Sequence, residues 1–242
     1  VNAPLRRGPE TVHKLWNAYT AILSGDSMLV LSYQRMASGL TDKLKPVLDT
    51  FTETALEIGE GQQYDMEFET RDDVAEAEYI EMIRLKTSVL LACALKIGAI
   101  MADASPADAD NLYKFGEQIG LAFQLQDGYL DVYGDSKVFG KEMGGDITSN
   151  KKTFMLINAF NHANAEQLEE LKRWVAAPTF DRKEKVEAVT RLYNEIGIDK
   201  MAQERIAYYF EQSKKYLDAV GVSADRKEEL RQYAQRMMKR QY

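Results

Sequence analysis

One cysteine, two histidines and five prolines are present among 242 residues, and each scarcity excludes something. Cys93 alone cannot form an internal bridge, and His13 and His162 are too far apart for zinc-ligand spacing, so disulfide and zinc scaffolds are excluded. Positive charge is also short. Lysine and arginine total 31 against 38 aspartates and glutamates, a net charge of -7 with no long basic block, so the chain has no electrostatic footprint for nucleic acid or an anionic membrane. Long apolar runs are missing too. The longest, Ser88 to Ala102, has about 15 residues, is interrupted by Lys96 and is too short for stable membrane insertion. No apolar segment of signal-peptide type follows Arg6 and Arg7, so a cytoplasmic location is expected.

What is present is ordinary for a globular protein: 45% hydrophobic and 29% charged residues. The length suits one large domain, and no linker, repeat or low-complexity stretch divides it, so residues 1–242 are expected to form a single unit. Alternating polar and apolar runs are absent while Ala, Leu, Glu, Lys and Met abound, which predicts an all-α long-helix bundle. The pattern places helices at about 10–23, 27–36, 42–68, 75–101, 107–133, 152–161, 165–174, 182–195, 199–219 and 224–238. Thr41-Asp42, Ser105-Pro106 and Ser223-Ala224-Asp225 signal starts, and Gly25, Gly39, Gly134 and Gly221 signal stops.

The segment GDSKVFGKEMGGDITSNKK, residues 134–152, breaks this pattern. It holds four of the fifteen glycines, with alternating lysine and aspartate, and predicts a functional loop able to close over an anion. Just before it, in FQLQDGYLD, Asp127 and Asp131 are four apart and share one helix face with Gln124. Such a pair can offer oxygens to Mg²⁺, which takes one or two carboxylates and completes its shell with phosphate and water. With 38 acids, however, pairs at this spacing recur by chance, and a solvated helix face explains most of them. Asp72, Asp73 and Glu76 are read in that way. Context separates the clusters: Asp127 has Leu121, Ala122, Phe123, Leu125, Leu130 and Val132 around it in sequence, where uncompensated carboxylates are costly if buried. The loop beyond carries Lys141, Asp146, Lys151 and Lys152, and Arg6-Arg7 and Lys86-Thr87 have the same phosphate-binding flavour.

The motifs NAPLRRG, ILSGDSMLV, EGQQYDM, MIRLKTSVLLACALKIGAI, GLAFQLQDGYLDVYGD, FGKEMGGDI and NKKTFMLI follow one another in the order found in trans-isoprenyl diphosphate synthases, and the chain resembles that family from residue 2 to about 165. The resemblance implies the isoprenoid synthase bundle around a central apolar cavity, a homodimer, and Mg²⁺-dependent condensation of an allylic prenyl diphosphate with isopentenyl diphosphate. It implies that Asp127, with Asp131 in support, binds the metal, and that Asp146 and Asp65 are its outer partners. Lys86, Lys141 and Lys151 resemble the lysines around the allylic diphosphate, with Arg6 on the same side. Arg7 resembles the arginine of the isopentenyl diphosphate site, and Thr87 and Gln124 the residues that steady the developing carbocation.

This chain departs from the family pattern at Gly128, where a middle carboxylate of the second aspartate-rich motif is usual, and in Pro9-Glu10-Thr11, where proline usually precedes the threonine directly. The family's first aspartate-rich motif would end at about Asn2, so residues 1–242 by themselves are expected not to elongate a prenyl chain. Three other readings remain open from sequence: a non-catalytic partner or regulatory subunit of the same fold, a terpene cyclase-like protein, and a helical interaction module whose acidic face merely looks like a metal site.

Overall fold

In a computed structural model, residues 4–6, 8–39, 42–134 and 143–239 are described. Among them the chain is helical, and its only β pairing is an isolated bridge between Leu5 and Glu10. Two compact units are formed, residues 1–52 and 53–242. The first holds α1 (Val12–Leu15), α2 (Ala18–Ala37) and the beginning of α3 (Leu44–Phe68). Asn17 breaks the expected first helix by capping α2, its side chain accepting from the Thr20 amide at 2.8 Å. Gly25 does not stop α2, which runs through it: the position is open, so the glycine costs only propensity. No residue of α2 is buried, and Tyr19, Ile22, Leu23, Met28 and Val30 are exposed.

The second unit contains the rest of α3, then α4 (Glu76–Ile83), a π-helical turn (Arg84–Ser88) and α5 (Val89–Met101). It continues with α6 (Pro106–Tyr133), α7 (Gly145–Thr148), α8 (Phe154–His162), α9 (Ala165–Ala176), α10 (Arg182–Ile196), α11 (Ile198–Ala219) and α12 (Ala224–Met238). Helix α6 is the axis, packed along α5 on one side and α11 on the other. Small residues permit the α5 contact: a Cβ at Gly116 would stand 2.7 Å from Ala92 Cα, and one at Gly120 2.8 Å from Ser88 Cα. The main core joins Tyr79, Met82, Leu121, Leu125, Phe154, Leu192 and Tyr193, and a smaller cluster joins Phe115, Ile119, Leu217 and Met237. On α5, Leu90 is exposed whereas Leu91 and Leu95 pack against the smaller cluster, so only part of this apolar helix is uncovered.

The continuous helix expected over 75–101 is interrupted where chemistry is expected. The π-helical turn widens the backbone at Lys86 and Thr87, and π turns of this kind frequently mark functional sites. Gly61 of α3 lies against the backbone of Leu85 and Lys86 so closely that a side chain there would collide with it. The glycine-rich segment likewise contains a short helix, α7, entered through Gly144 in the left-handed conformation (φ 76°), which favours glycine.

Candidate active site

The contact at Gly61 sets the first pair of the site. With the two backbones held together there, Asp65 one turn further along α3 receives a hydrogen bond from Lys86 Nζ at 2.6 Å. The spacing of glycine and aspartate in EGQQYD thus has a packing cause at one end and an ion pair at the other.

The second group forms where α6 meets α7. Asp131 Oδ2 accepts from the Asp146 backbone N–H at 2.9 Å, and the Asp131 carbonyl accepts from Gly144 N–H at 2.7 Å. Asp131 therefore anchors α7 through both side chain and backbone. The Asp146 carboxylate lies 3.9 Å from Lys151 Nζ, and the Lys151 amide closes the turn by donating to the Asp146 carbonyl at 3.0 Å. Burial pushes the Asp146 carboxyl above the usual aspartate range; Lys151 opposes this, and the charges of Asp131, Asp127 and Asp65 add to it. Four aspartates from α3, α6 and α7 thus share one field, with Lys86 and Lys151 as the cations in direct contact.

Asp127 is exposed and Gln124 and Thr87 are half-buried. The expected penalty for burying Asp127 therefore does not arise: α6 turns that carboxylate out of its apolar face. Arg6 is exposed in the first unit, its backbone N–H donating to the Pro9 carbonyl at 2.8 Å. Arg7 and Lys141 lie outside the described residues.

Among the described residues no three histidine, cysteine, aspartate or glutamate side chains come together as a ready-made metal cage. The donor chemistry nonetheless fits Mg²⁺, because that ion is commonly held by one or two carboxylates while phosphate oxygens and water fill its octahedron. A half-buried aspartate whose charge is disfavoured by three other aspartates is a group that a divalent cation would relieve. The fit is to a metal shared with a diphosphate.

Tyr79, on α4, was not visible in the sequence as a site residue. Its buried hydroxyl oxygen accepts from the Phe154 N–H, and burial, with the charges of Asp146, Asp65 and Asp127, holds it in the phenol form. It forms part of the wall behind the carboxylates. The only sequence signal was its position seven residues before Lys86, on the same face of a regular helix, and the π turn disturbs that register. Cavities of about 620 and 560 Å³ elsewhere in the second unit are lined by other residues, Phe160 and Lys172 in one and Tyr208 and Gln212 in the other.

An all-α bundle with acid pairs facing lysines agrees with the resemblance carried by the motifs, and sequence and structure comparisons give the class, the helical prenyl synthases. The profile described as Polyprenyl synthetase matches residues 2–196, and the chain belongs to that family. It is 42% identical over 168 residues to a short chain isoprenyl diphosphate synthase of Methanothermobacter thermautotrophicus, a match covering 69% of this chain and 52% of that one. It is 35% identical to a geranylgeranyl diphosphate synthase of Methanosarcina mazei over 98% of this chain and 72% of the other. The chain thus spans about half the length of the first relative and under three quarters of the second. A crystal structure of geranylgeranyl pyrophosphate synthase superposes with a TM-score of 0.93 at 41% identity, covering 98% of this chain and 74% of that one.

Proposed function

We propose that this chain carries the allylic-diphosphate half of a prenyltransferase that joins an allylic prenyl diphosphate head-to-tail to isopentenyl diphosphate and releases pyrophosphate. The observation that carries this reading is the half-buried Asp146, facing Lys151 and lying in the field of Asp131, Asp127 and Asp65, with Lys86 on Asp65. Asp127, with Asp131 in support and Asp146 and Asp65 behind, is the side that would hold Mg²⁺. When bound there with the diphosphate, the ion supplies positive charge to the leaving group.

Lys86 and Lys151 bind the diphosphate oxygens as point charges, exchanging part of their contact with Asp65 and Asp146 for substrate. They stabilise the pyrophosphate charge that grows as the C–O bond breaks. Lys141, Arg6 and Arg7 complete the anion sites in this reading. Thr87 and Gln124 steady the allylic cation, which the double bond of isopentenyl diphosphate attacks; the proton then lost goes to pyrophosphate. The apolar residues of α5 and α6 exclude water, which would otherwise capture the cation.

The reading of residues 1–242 as one all-α domain, the cytoplasmic location and a homodimer belong to the same proposal. The exposed apolar residues of α2 support the last. Among the described residues no helix is long and apolar enough to cross a membrane. The test is incorporation of labelled isopentenyl diphosphate into a longer prenyl diphosphate in the presence of Mg²⁺, by a form extended upstream of Val1 through a first aspartate-rich motif, with residues 1–242 beside it. Absence of transfer together with absence of pyrophosphate binding would remove the reading.

A further inference from the structure

Helix α10 contributes no residue to the site, yet its first turns hold the segment that carries Asp146 and Lys151. Arg182 Nη2 donates to the Met143 carbonyl at 2.8 Å, before α7, and Nη1 to Thr148 Oγ1 at 3.2 Å, on its last residue. Val186, one turn further along, packs so closely that a Cβ at Gly144 would stand 2.6 Å from its Cγ2. Between them Lys185, with none of its surface exposed, donates from Nζ to Asn150 Oδ1 at 2.7 Å.

Asn150 is the residue before Lys151 and adopts the left-handed conformation (φ 52°), which asparagine tolerates better than most residues but still at a cost. Its side chain is used at both ends: Oδ1 accepts from Lys185, and Nδ2 donates to the Val175 carbonyl at 3.0 Å. The strained turn is thereby tied to α9 and α10 at once. Lys185 has no carboxylate within ion-pair distance among the described residues, its other close neighbour being the Phe180 ring, 4.1 Å from Nζ. A buried ammonium with one neutral oxygen and one ring is an expensive way to pack a core. The expense has a purpose if the bond places something that needs accuracy.

We propose that Lys185, acting through Asn150, is a positioning residue that sets Asp146 and Lys151 for a diphosphate, with Arg182 gripping the other end of the same turn. Asp131 holds this segment from the site side and α10 holds it from behind, so a shift in either moves both charged side chains. The inference rests on the reading above that Lys151 and Asp146 face a diphosphate.

The test uses the whole chain, with inorganic pyrophosphate and Mg²⁺ as probe, and compares Lys185→Met, Asn150→Gly, the two combined, and Lys151→Ala. Lys185→Met keeps the length of the buried side chain without its charge, and Asn150→Gly keeps the left-handed turn without its bridge. Each single change is expected to weaken pyrophosphate binding about tenfold, the lower end of what supporting residues around a site contribute, with little loss of thermal midpoint. The pair should be no worse than the stronger single change, because both remove the same Lys185–Asn150 bond. Hydrogen exchange should accelerate in peptides covering residues 143–153 and stay unchanged elsewhere. If Lys185→Met fails to fold, Asn150→Gly carries the comparison. Native binding in Asn150→Gly or Lys185→Met beside weakened binding in Lys151→Ala overturns the positioning role. If Lys151→Ala also binds natively, the diphosphate reading fails first and this inference with it.

Discussion

The second unit has two acidic clusters, alike in composition and opposite in electrostatics. In the first, Asp73 and Glu78 share Arg71, Asp72 meets Lys152 at 2.9 Å, and Glu76 meets Arg205. The Arg71 guanidinium holds the carboxyls of Asp73 and Glu78 below their usual range. The second cluster joins Asp65, Asp127, Asp131 and Asp146 around two lysines, and its half-buried Asp146 carboxyl is pushed up. Acids matched by fixed cations are already satisfied; acids left in each other's field hold capacity for a cation that arrives with a ligand. The acidic residue count alone would not have told the two apart.

The widest separation between the clusters is expected in catalysis. In a form extended upstream of Val1 through a first aspartate-rich motif, Asp127→Asn should slow prenyl transfer by about 10² to 10³, the loss typical of one group aimed at developing charge, while Asp72→Asn, on the paired cluster, should leave it near the parent rate. Equal rates in the two variants would place Asp127 outside the site. Next in size is ligand stabilisation: Mg²⁺ with pyrophosphate at a hundred times its dissociation constant should add about 2.7 kcal/mol to unfolding. A melting midpoint that does not move would count against a metal-diphosphate site, and Asp146→Asn should diminish the shift while Asp73→Asn should not.

The pH dependence is smaller and its sign is particular to this cluster. Because Asp146 ionises less readily in the folded chain, its contribution to stability is complete below the ordinary aspartate pKa of about 3.9 and is lost as pH rises through the raised folded value. Without metal, Asp146→Asn should therefore melt higher than the parent at neutral pH and level with it near about pH 3. A neutral-pH loss of stability would show that Asp146 is a satisfied partner of Lys151, as Asp73 is of Arg71. The smallest effect is at Gly128, where no neighbouring atom lies within 4 Å of an added Cβ. Gly128→Asp should lower the Mg²⁺ concentration for half-maximal rate and change stability by only about 0.3 kcal/mol through helix propensity. An unchanged metal requirement would mean that the missing middle carboxylate has no part in this site.

Much of the scaffold was legible because helix periodicity and capping are local. Ser105 caps α6 as expected, accepting from the Asp108 amide at 3.1 Å, and Gly134 ends it. The shared face of Asp127 and Asp131 follows from that helix alone. The pairing of Asp65 with Lys86 was not legible: the resemblance gave each a separate role, 21 residues separate them, and no pattern within either segment points to the other. Gly25 misled because a glycine in an exposed helix interior costs about 1 kcal/mol, too little to end a helix of twenty residues.

By itself the sequence determined that the chain is helical, where most of its long helices run, which face of α6 carries carboxylates, and, through its motifs, which family it belongs to. These depend on neighbours within about one or two helical turns. Only the tertiary structure decided that Asp127 is exposed while Asp146 is half-buried, that a π turn presents Lys86, that Tyr79 backs the site, and that α10 holds the turn before Lys151. Each depends on which segments meet, and burial and electric fields are properties of that meeting. An aspartate has the same letter whether it faces a lysine, three other aspartates or water.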